Sequence, residues 1–166
     1  MQLDEAKNQF IQTWGALGSS WGINRTMSSI HALLIASKDP MSTEEIMAQL
    51  KISRGNANMN IRSLIDWGLV KKQFIAGERK EYFAAGKDIW EIARQIAKER
   101  GKRELEPVVN MVGELQNVED ESEDAQQFLE TMASLQDFTS KVNGTLDKFI
   151  KSDKNWFYKS LMNLIK

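Results

Sequence analysis

The residues that decide the fold run from Ser42 to Ala85: STEEIMAQLKISRGNANMNIRSLIDWGLVKKQFIAGERKEYFAA. Ser42 follows Pro40 and stands three positions before Glu45. That is capping-box spacing: the serine oxygen accepts from the Glu45 amide, and the Glu45 carboxylate reaches back to the Ser42 amide. Ile46, Met47 and Leu50 then share one face at helical spacing, and Lys51-Ile52 is left as a turn. Ser53 supplies a second N-cap. Behind it Ala57, Ile61, Leu64 and Ile65 recur at helical spacing as the expected core face, and Gly68 is placed to end the helix in a left-handed conformation. Val70 to Phe74 alternates like a half-exposed strand, Ala76-Gly77-Glu78-Arg79 reads as a turn, and Lys80 to Ala84 returns with Tyr82 and Phe83.

The chemistry of these elements is as informative as their order. The outer face of the second helix carries Ser, Arg, Gly and three Asn in its first two turns, with Gly55, Met59, Arg62 and Asp66 opposite the core face. Asn is a weak helix former. It can pair two-pronged with adenine, Arg can do the same with guanine, and Met can pack on a thymine methyl. Gly55 would let the backbone approach a phosphate. The plain alternative is a solvated polar face. Residues 51 to 80 hold seven basic and two acidic side chains, a net of +5, the electrostatic footprint of phosphate contact. Arg79 at the hairpin tip suits a minor groove narrowed by A/T sequence. An ordinary hairpin guarding its edge with lysines is the alternative there. Helix, turn, helix and basic hairpin in this order is the layout of a winged helix-turn-helix, which lays its second helix in the DNA major groove.

The run SRGNANMNIRSLIDWGLVKKQFIAGERKEYFAA, with DIWEIARQI behind it and FIQTWGALGSSWGINRTMSSIHALLIAS before it, resembles the GbsR/MarR-type transcriptional regulators over residues 8 to 105. The resemblance implies a dimeric DNA-binding winged-helix regulator. It puts Ser53, Arg54, Asn56, Asn58 and Arg62 in a recognition helix, and Gly77, Arg79 and Lys80 in a wing; Met59 joins the candidate DNA-contacting residues from the helix face itself. Some relatives of this kind respond to quaternary ammonium compounds, so a small-molecule effector of unknown identity is a further implied partner. The five tryptophans make an aromatic cage conceivable.

At 166 residues the chain can bury a substantial core. Without cysteine it has neither disulfides nor thiolate metal sites. No apolar run is long enough to span a membrane, and the first residues lack the basic start and apolar stretch of a signal peptide. A cytoplasmic protein without membrane partners is expected. The overall charge of −1 conceals strong segregation: −2 over residues 1 to 50, +7 over 51 to 103, −10 over 104 to 137 and +4 over 138 to 166. Basic charge is thus concentrated in and just after the motif.

Residues 5 to 21 read as a helix with the stripe Phe10, Ile11, Trp14, Leu17 and Trp21, its Gly15 and Gly18 suggesting close approach of another helix. Asn24 or Thr26 caps a second helix to about Ser37, with Ile30, Leu33, Leu34 and Met27 as core. His31, the sole histidine, is expected to be a half-buried structural residue. Lys38-Asp39-Pro40 is a turn. After the hairpin, Asp88 and Glu91 have capping-box spacing for a helix to about Arg100, whose far end (Arg94, Lys98, Arg100, Lys102, Arg103) is basic and either solvated or near a DNA backbone. Gly101 is expected to end it, and Pro107 to start a helix carrying Val108, Val112, Leu115 and Val118. The acidic run Glu119 to Asp124 reads as a loop and helix start. From Ala125 a long amphipathic helix follows, through Phe128, Leu129, Met132, Leu135, Phe138, Val142, Leu146 and Phe149, with Gly144 as an expected break. A turn at Ser152 to Asn155 precedes a short apolar helix from Trp156 to Ile165.

The expected fold is mainly α with a small β-hairpin wing. Residues 1–103 form a winged helix-turn-helix DNA-binding domain with its N-terminal helices, and 104–166 a helical dimerisation or regulatory region. No Ser-centred elbow, glycine-rich phosphate loop or zinc-binding His motif is present, so neither an enzyme nor a cofactor or metal site is expected. Two functions stand: a homodimeric transcriptional repressor on double-stranded DNA, or a winged-helix module for protein contact.

Overall fold

Each helix of the central motif begins where its cap requires. The computed structural model of the protein describes residues 1–20 and 22–152; Trp21 and the apolar helix expected at Trp156 to Ile165 lie outside them. Contacts divide the chain into two compact units, Met1–Ile92 and Ala93–Lys166.

In the first unit, α1 (Leu3–Ser20) packs on α2 (Arg25–Ala36). The face α1 buries joins the two glycines to part of the apolar stripe. Ile11, Gly15 and Gly18 are buried, Phe10 and Trp14 are half-buried, and Leu17 is exposed. A Cβ on Gly15 would lie 2.4 Å from Ser29 Oγ, and one on Gly18 1.9 Å from Ser28 Oγ. The two glycines therefore set how close the helices come. Asn24 caps α2, its side chain accepting from the Met27 amide at 3.1 Å. Ile30, Ala32, Leu33 and Leu34 give α2 an almost wholly buried apolar face. His31 is buried with them, more deeply than its sequence position suggested. Its ring centroid lies 6.4 Å from that of Trp14, which in turn lies 5.6 Å from Phe10.

The capping box of α3 (Thr43–Leu50) forms as expected: Ser42 Oγ accepts from the Glu45 amide, and the Ser42 amide donates to Glu45 Oε2 at 2.7 Å. Lys51 makes the turn in the left-handed region at φ 53°. α4 (Arg54–Asp66) starts on Ser53, whose Oγ accepts from the Asn56 amide. It ends at Gly68, φ 69°, where Gly68 N–H reaches Ile65 O and Leu69 N–H reaches Leu64 O, the paired bonds of a Schellman motif. Ala57, Ile61 and Leu64 bury one side of α4, joined by Ile46 of α3 and by Trp67, Leu69 and Val70.

The hairpin strands β2 (Val70–Gln73) and β3 (Tyr82–Ala85) pair antiparallel, Lys72 opposite Phe83. A third strand, β1 (Met41–Ser42), adds to the other edge of β3, giving the order β1-β3-β2. This short strand was not anticipated. It ties the start of α3 to the hairpin, with Met41 opposite the buried Phe83.

α5 (Ile89–Arg100) begins with Asp88 Oδ1 accepting from the Trp90 and Glu91 amides. It crosses from the first unit into the second. Gly101 does not end it. The chain continues through a π-helical segment, Gly101–Leu105, directly into α6 (Glu106–Glu114). Gly101 instead lies against α7 (Glu123–Lys151): a Cβ there would stand 2.4 Å from Leu146 Cδ2, the mobile end of that side chain. α7 is capped by Ser122 and runs unbroken past Gly144. It lies antiparallel to the preceding helical segment, with Leu146 beside Gly101 and Gln136 hydrogen-bonded to Gln116. No helix among the described residues is long and apolar enough to cross a membrane.

Candidate nucleic-acid interface

All of the candidate residues on α4 and the wing fall in the first unit. With Ala57, Ile61 and Leu64 fixed in the core, helical geometry turns Arg54, Gly55, Asn58, Met59 and Arg62 outward together, and all five are exposed. Arg54, Asn58 and Arg62 form one row at four-residue spacing. Asn58 and Arg62 make no side-chain hydrogen bond or ion pair within the described residues, so their amide and guanidinium are available to a base edge or a phosphate. Met59 is 57% exposed, a large commitment of apolar surface on an otherwise polar face.

The three asparagines do not share one environment. Asn60 is buried, not part of the outer face. Its Nδ2 donates to Asn56 O at 2.8 Å and to Asn56 Oδ1 at 2.7 Å. A buried amide has to be satisfied in this way. The cost falls on Asn56, which is half-buried and whose side-chain acceptor is already engaged. To read adenine, Asn56 would share its Oδ1 between Asn60 and the base; Asn58 carries no such obligation. Ser53 is exposed, and its oxygen serves the cap.

Every residue from Lys71 to Glu81 is exposed. The turn of the wing is Ile75 to Glu78, one position earlier than its sequence suggested, closed by Glu78 N–H to Ile75 O at 3.0 Å. Gly77 takes φ 85° there, the position in which a type II turn selects glycine. Lys71, Arg79 and Lys80 make no ion pair among the described residues, whereas Lys72 is paired with Glu81 at 2.5 Å. Arg54 is also paired, its Nη2 3.0 Å from Glu44 Oε1 on α3. The Glu44 carboxyl is held below the usual carboxylate range by a backbone hydrogen bond of its own residue and by Arg54, with Lys80 adding a weaker pull.

The basic end of α5 and the segment after it is largely occupied within the second unit. Arg100 grips Glu104 with two nitrogens at 2.9 and 3.0 Å, Arg103 pairs with Glu99 at 3.8 Å, and Arg94 donates to Ser152 O at 3.1 Å. Lys98 and Lys102 of this segment are exposed, so the engaged cations there are the three arginines.

No family model matches the chain. It is 25% identical over 114 residues to the HTH-type transcriptional repressor GbsR of Bacillus subtilis (strain 168), covering 69% of this chain and 63% of that protein. It is 29% identical over 76 residues to the HTH-type transcriptional regulator MmpR5 of Mycobacterium tuberculosis (strain ATCC 25618 / H37Rv), covering 45% of this chain and 46% of that protein. The chain thus spans less than two thirds of either relative. A crystal structure of a transcriptional regulator has the same fold, with a TM-score of 0.67 at 18% identity, over 87% of this chain and 95% of that one. Two capped helices and a three-stranded wing give the chain a winged helix-turn-helix fold, and in sequence it is similar to the GbsR/MarR-type transcriptional regulators.

Proposed function

We propose that the chain is a homodimeric, sequence-specific DNA-binding regulator that represses transcription, with α4 in the major groove and Arg79 of the wing in the minor groove. The observation that carries this reading is the exposed row Arg54, Asn58 and Arg62 beside a wing whose cations Lys71, Arg79 and Lys80 are uncommitted. Guanidinium and amide groups read base edges, and the lysines answer to phosphate. The names of the two relatives, a transcriptional repressor and a transcriptional regulator, point the same way.

In this reading residues 1–103 bind DNA and residues 104–166 join two copies. Support for the second part comes from the apolar arc of α7, where Phe128, Phe138 and Val142 remain exposed although α6 packs on the same helix. Met111 and Leu115 are exposed nearby in sequence on α6. Long helices with a wider apolar stripe than one neighbour can cover are suited to a helical seam.

Selection of duplexes from a random pool tests the reading. A dimer enriches a pseudo-palindrome whose half-sites lie about one helical turn, roughly 10 bp, or a multiple apart. Asn58→Ala and Arg62→Ala change the preferred bases. A pool that stays unenriched with the wild-type protein overturns it.

A further inference from the structure

Glu44 is out of place on a surface built to meet phosphate. It lies in the first turn of α3, is about half exposed (46%), and has Arg54 Nη2 3.0 Å from its Oε1. Its neighbour Glu45 accounts for the capping box, accepting from the Ser42 amide and hydroxyl, so Glu44 has no part in that cap. Lys80 of the wing also acts on the Glu44 carboxylate. The carboxylate is thus held by the Arg54 guanidinium of the recognition helix, with a weaker pull from the wing.

A guanidinium recognises carboxylate and phosphate with the same planar fork of donors. A carboxylate held by Arg54 at the start of α4 is therefore in the position of a phosphate that Arg54 could otherwise take. We propose that Glu44 is an internal phosphate decoy: it occupies Arg54 in the free protein, must be exchanged for a DNA phosphate on binding, and so lowers affinity for DNA of any sequence. This inference rests on the DNA-binding reading above and deepens it.

The exchange is easy because the pair is exposed on both sides, 60% for Arg54 and 46% for Glu44. Pairs of this kind contribute little stability and break readily. The consequence is weaker binding overall. The cost falls on the Arg54 contact and is the same on every sequence, so it leaves the ratio between sites unchanged and lowers occupancy on all of them; a site is held where Asn58 and Arg62 also find their bases. Glu44 sets generic affinity, acting through Arg54.

A double-mutant cycle on a duplex of arbitrary sequence, measured across a salt series, tests this. Glu44→Gln keeps the side-chain size and removes the charge. It is expected to tighten binding severalfold at low salt while leaving the slope of log K against log salt little changed, because Arg54 meets the same phosphate in both complexes. Arg54→Ala is expected to weaken binding, and in that background Glu44→Gln should change affinity less than twofold. Thermal unfolding of all four proteins checks that each is folded. If the gain from Glu44→Gln survives intact without Arg54, the carboxylate acts only as a distant charge and the decoy is overturned. If Glu44→Gln leaves binding unchanged or weakens it, the decoy is overturned as well. If none of the four proteins binds DNA at low salt, the DNA-binding reading itself falls, and the decoy with it.

Discussion

Replacing Gly18 by alanine should destabilise the protein, and the reason lies in two distances. The new Cβ would stand 1.9 Å from Ser28 Oγ and 2.6 Å from Ser28 Cβ. Rotating Ser28 about χ1 moves its Oγ but not its Cβ, and 2.6 Å falls well short of the 3.4 Å at which ordinary contact begins. The backbones of α1 and α2 must therefore separate. Overpacking of this kind costs about 3 kcal/mol at the upper end of its usual range, while Ala in place of Gly inside a helix returns about 1 kcal/mol. The net loss is about 2 kcal/mol, which for a chain of this size lowers the melting temperature by roughly 4–8 °C. Urea and thermal unfolding followed by circular dichroism measure it. The double variant Gly18→Ala/Ser28→Gly removes both clashing atoms, exchanges one helical glycine for another, and should return to within about 1 kcal/mol of wild type. A Gly18→Ala protein as stable as wild type, or a double variant no better than the single, refutes the account of how α1 meets α2.

Gly144 is the opposite case: a Cβ there meets nothing within 4 Å, so Gly144→Ala should stabilise α7 by about 1 kcal/mol, read as a higher unfolding midpoint. Burial lowers the pKa of His31 from 6.5 to about 4, so the folded state resists a proton that the unfolded chain accepts. The stability associated with neutral His31 is complete above pH 6.5 and is lost as the pH falls toward 4, with roughly 2 kcal/mol gone by pH 5. Urea midpoints at pH 7 and pH 5 should differ accordingly in wild type, and His31→Leu should remove most of the difference. Arg79→Ala/Lys80→Ala should weaken binding to all duplexes alike and flatten the salt slope by about 1.8 in a filter-binding or anisotropy titration; an unchanged slope would take the wing out of the interface.

Most of the fold could be read because its punctuation is local. The Ser42–Glu45 box, the Ser53 cap and the Gly68 terminus each depend on residues within one turn, and each forms as its spacing implies. What could not be read depends on partners distant in sequence. β1 is two residues long, too short to show a period, and exists because β3 offers it an edge. Gly101 resembles a helix stop, but the chain passes through it into a π-helical segment packed against Leu146, 45 positions away. Lys51 adopts a left-handed turn with no glycine to announce it.

The candidate interface divides along the same line. Exposure of Arg54, Asn58, Met59 and Arg62 follows from helical period once the core face is known. The burial of Asn60 does not follow, although its four-residue spacing from Asn56 is the spacing at which one amide can satisfy another. Nor did the basic character of α5 reveal that Arg100 and Arg103 are matched by Glu104 and Glu99 on the same helical run.

The central claim is that the exposed face of α4 and the wing bind DNA by sequence. Affinity measured across a salt series, on the region upstream of the protein's own gene and on a scrambled duplex of the same composition, tests it most directly. The account predicts preferential binding to the upstream region, falling steeply as salt rises, with weaker binding to the scrambled duplex. Failure to bind either duplex at low salt would contradict it, and would favour a winged helix used for protein contact.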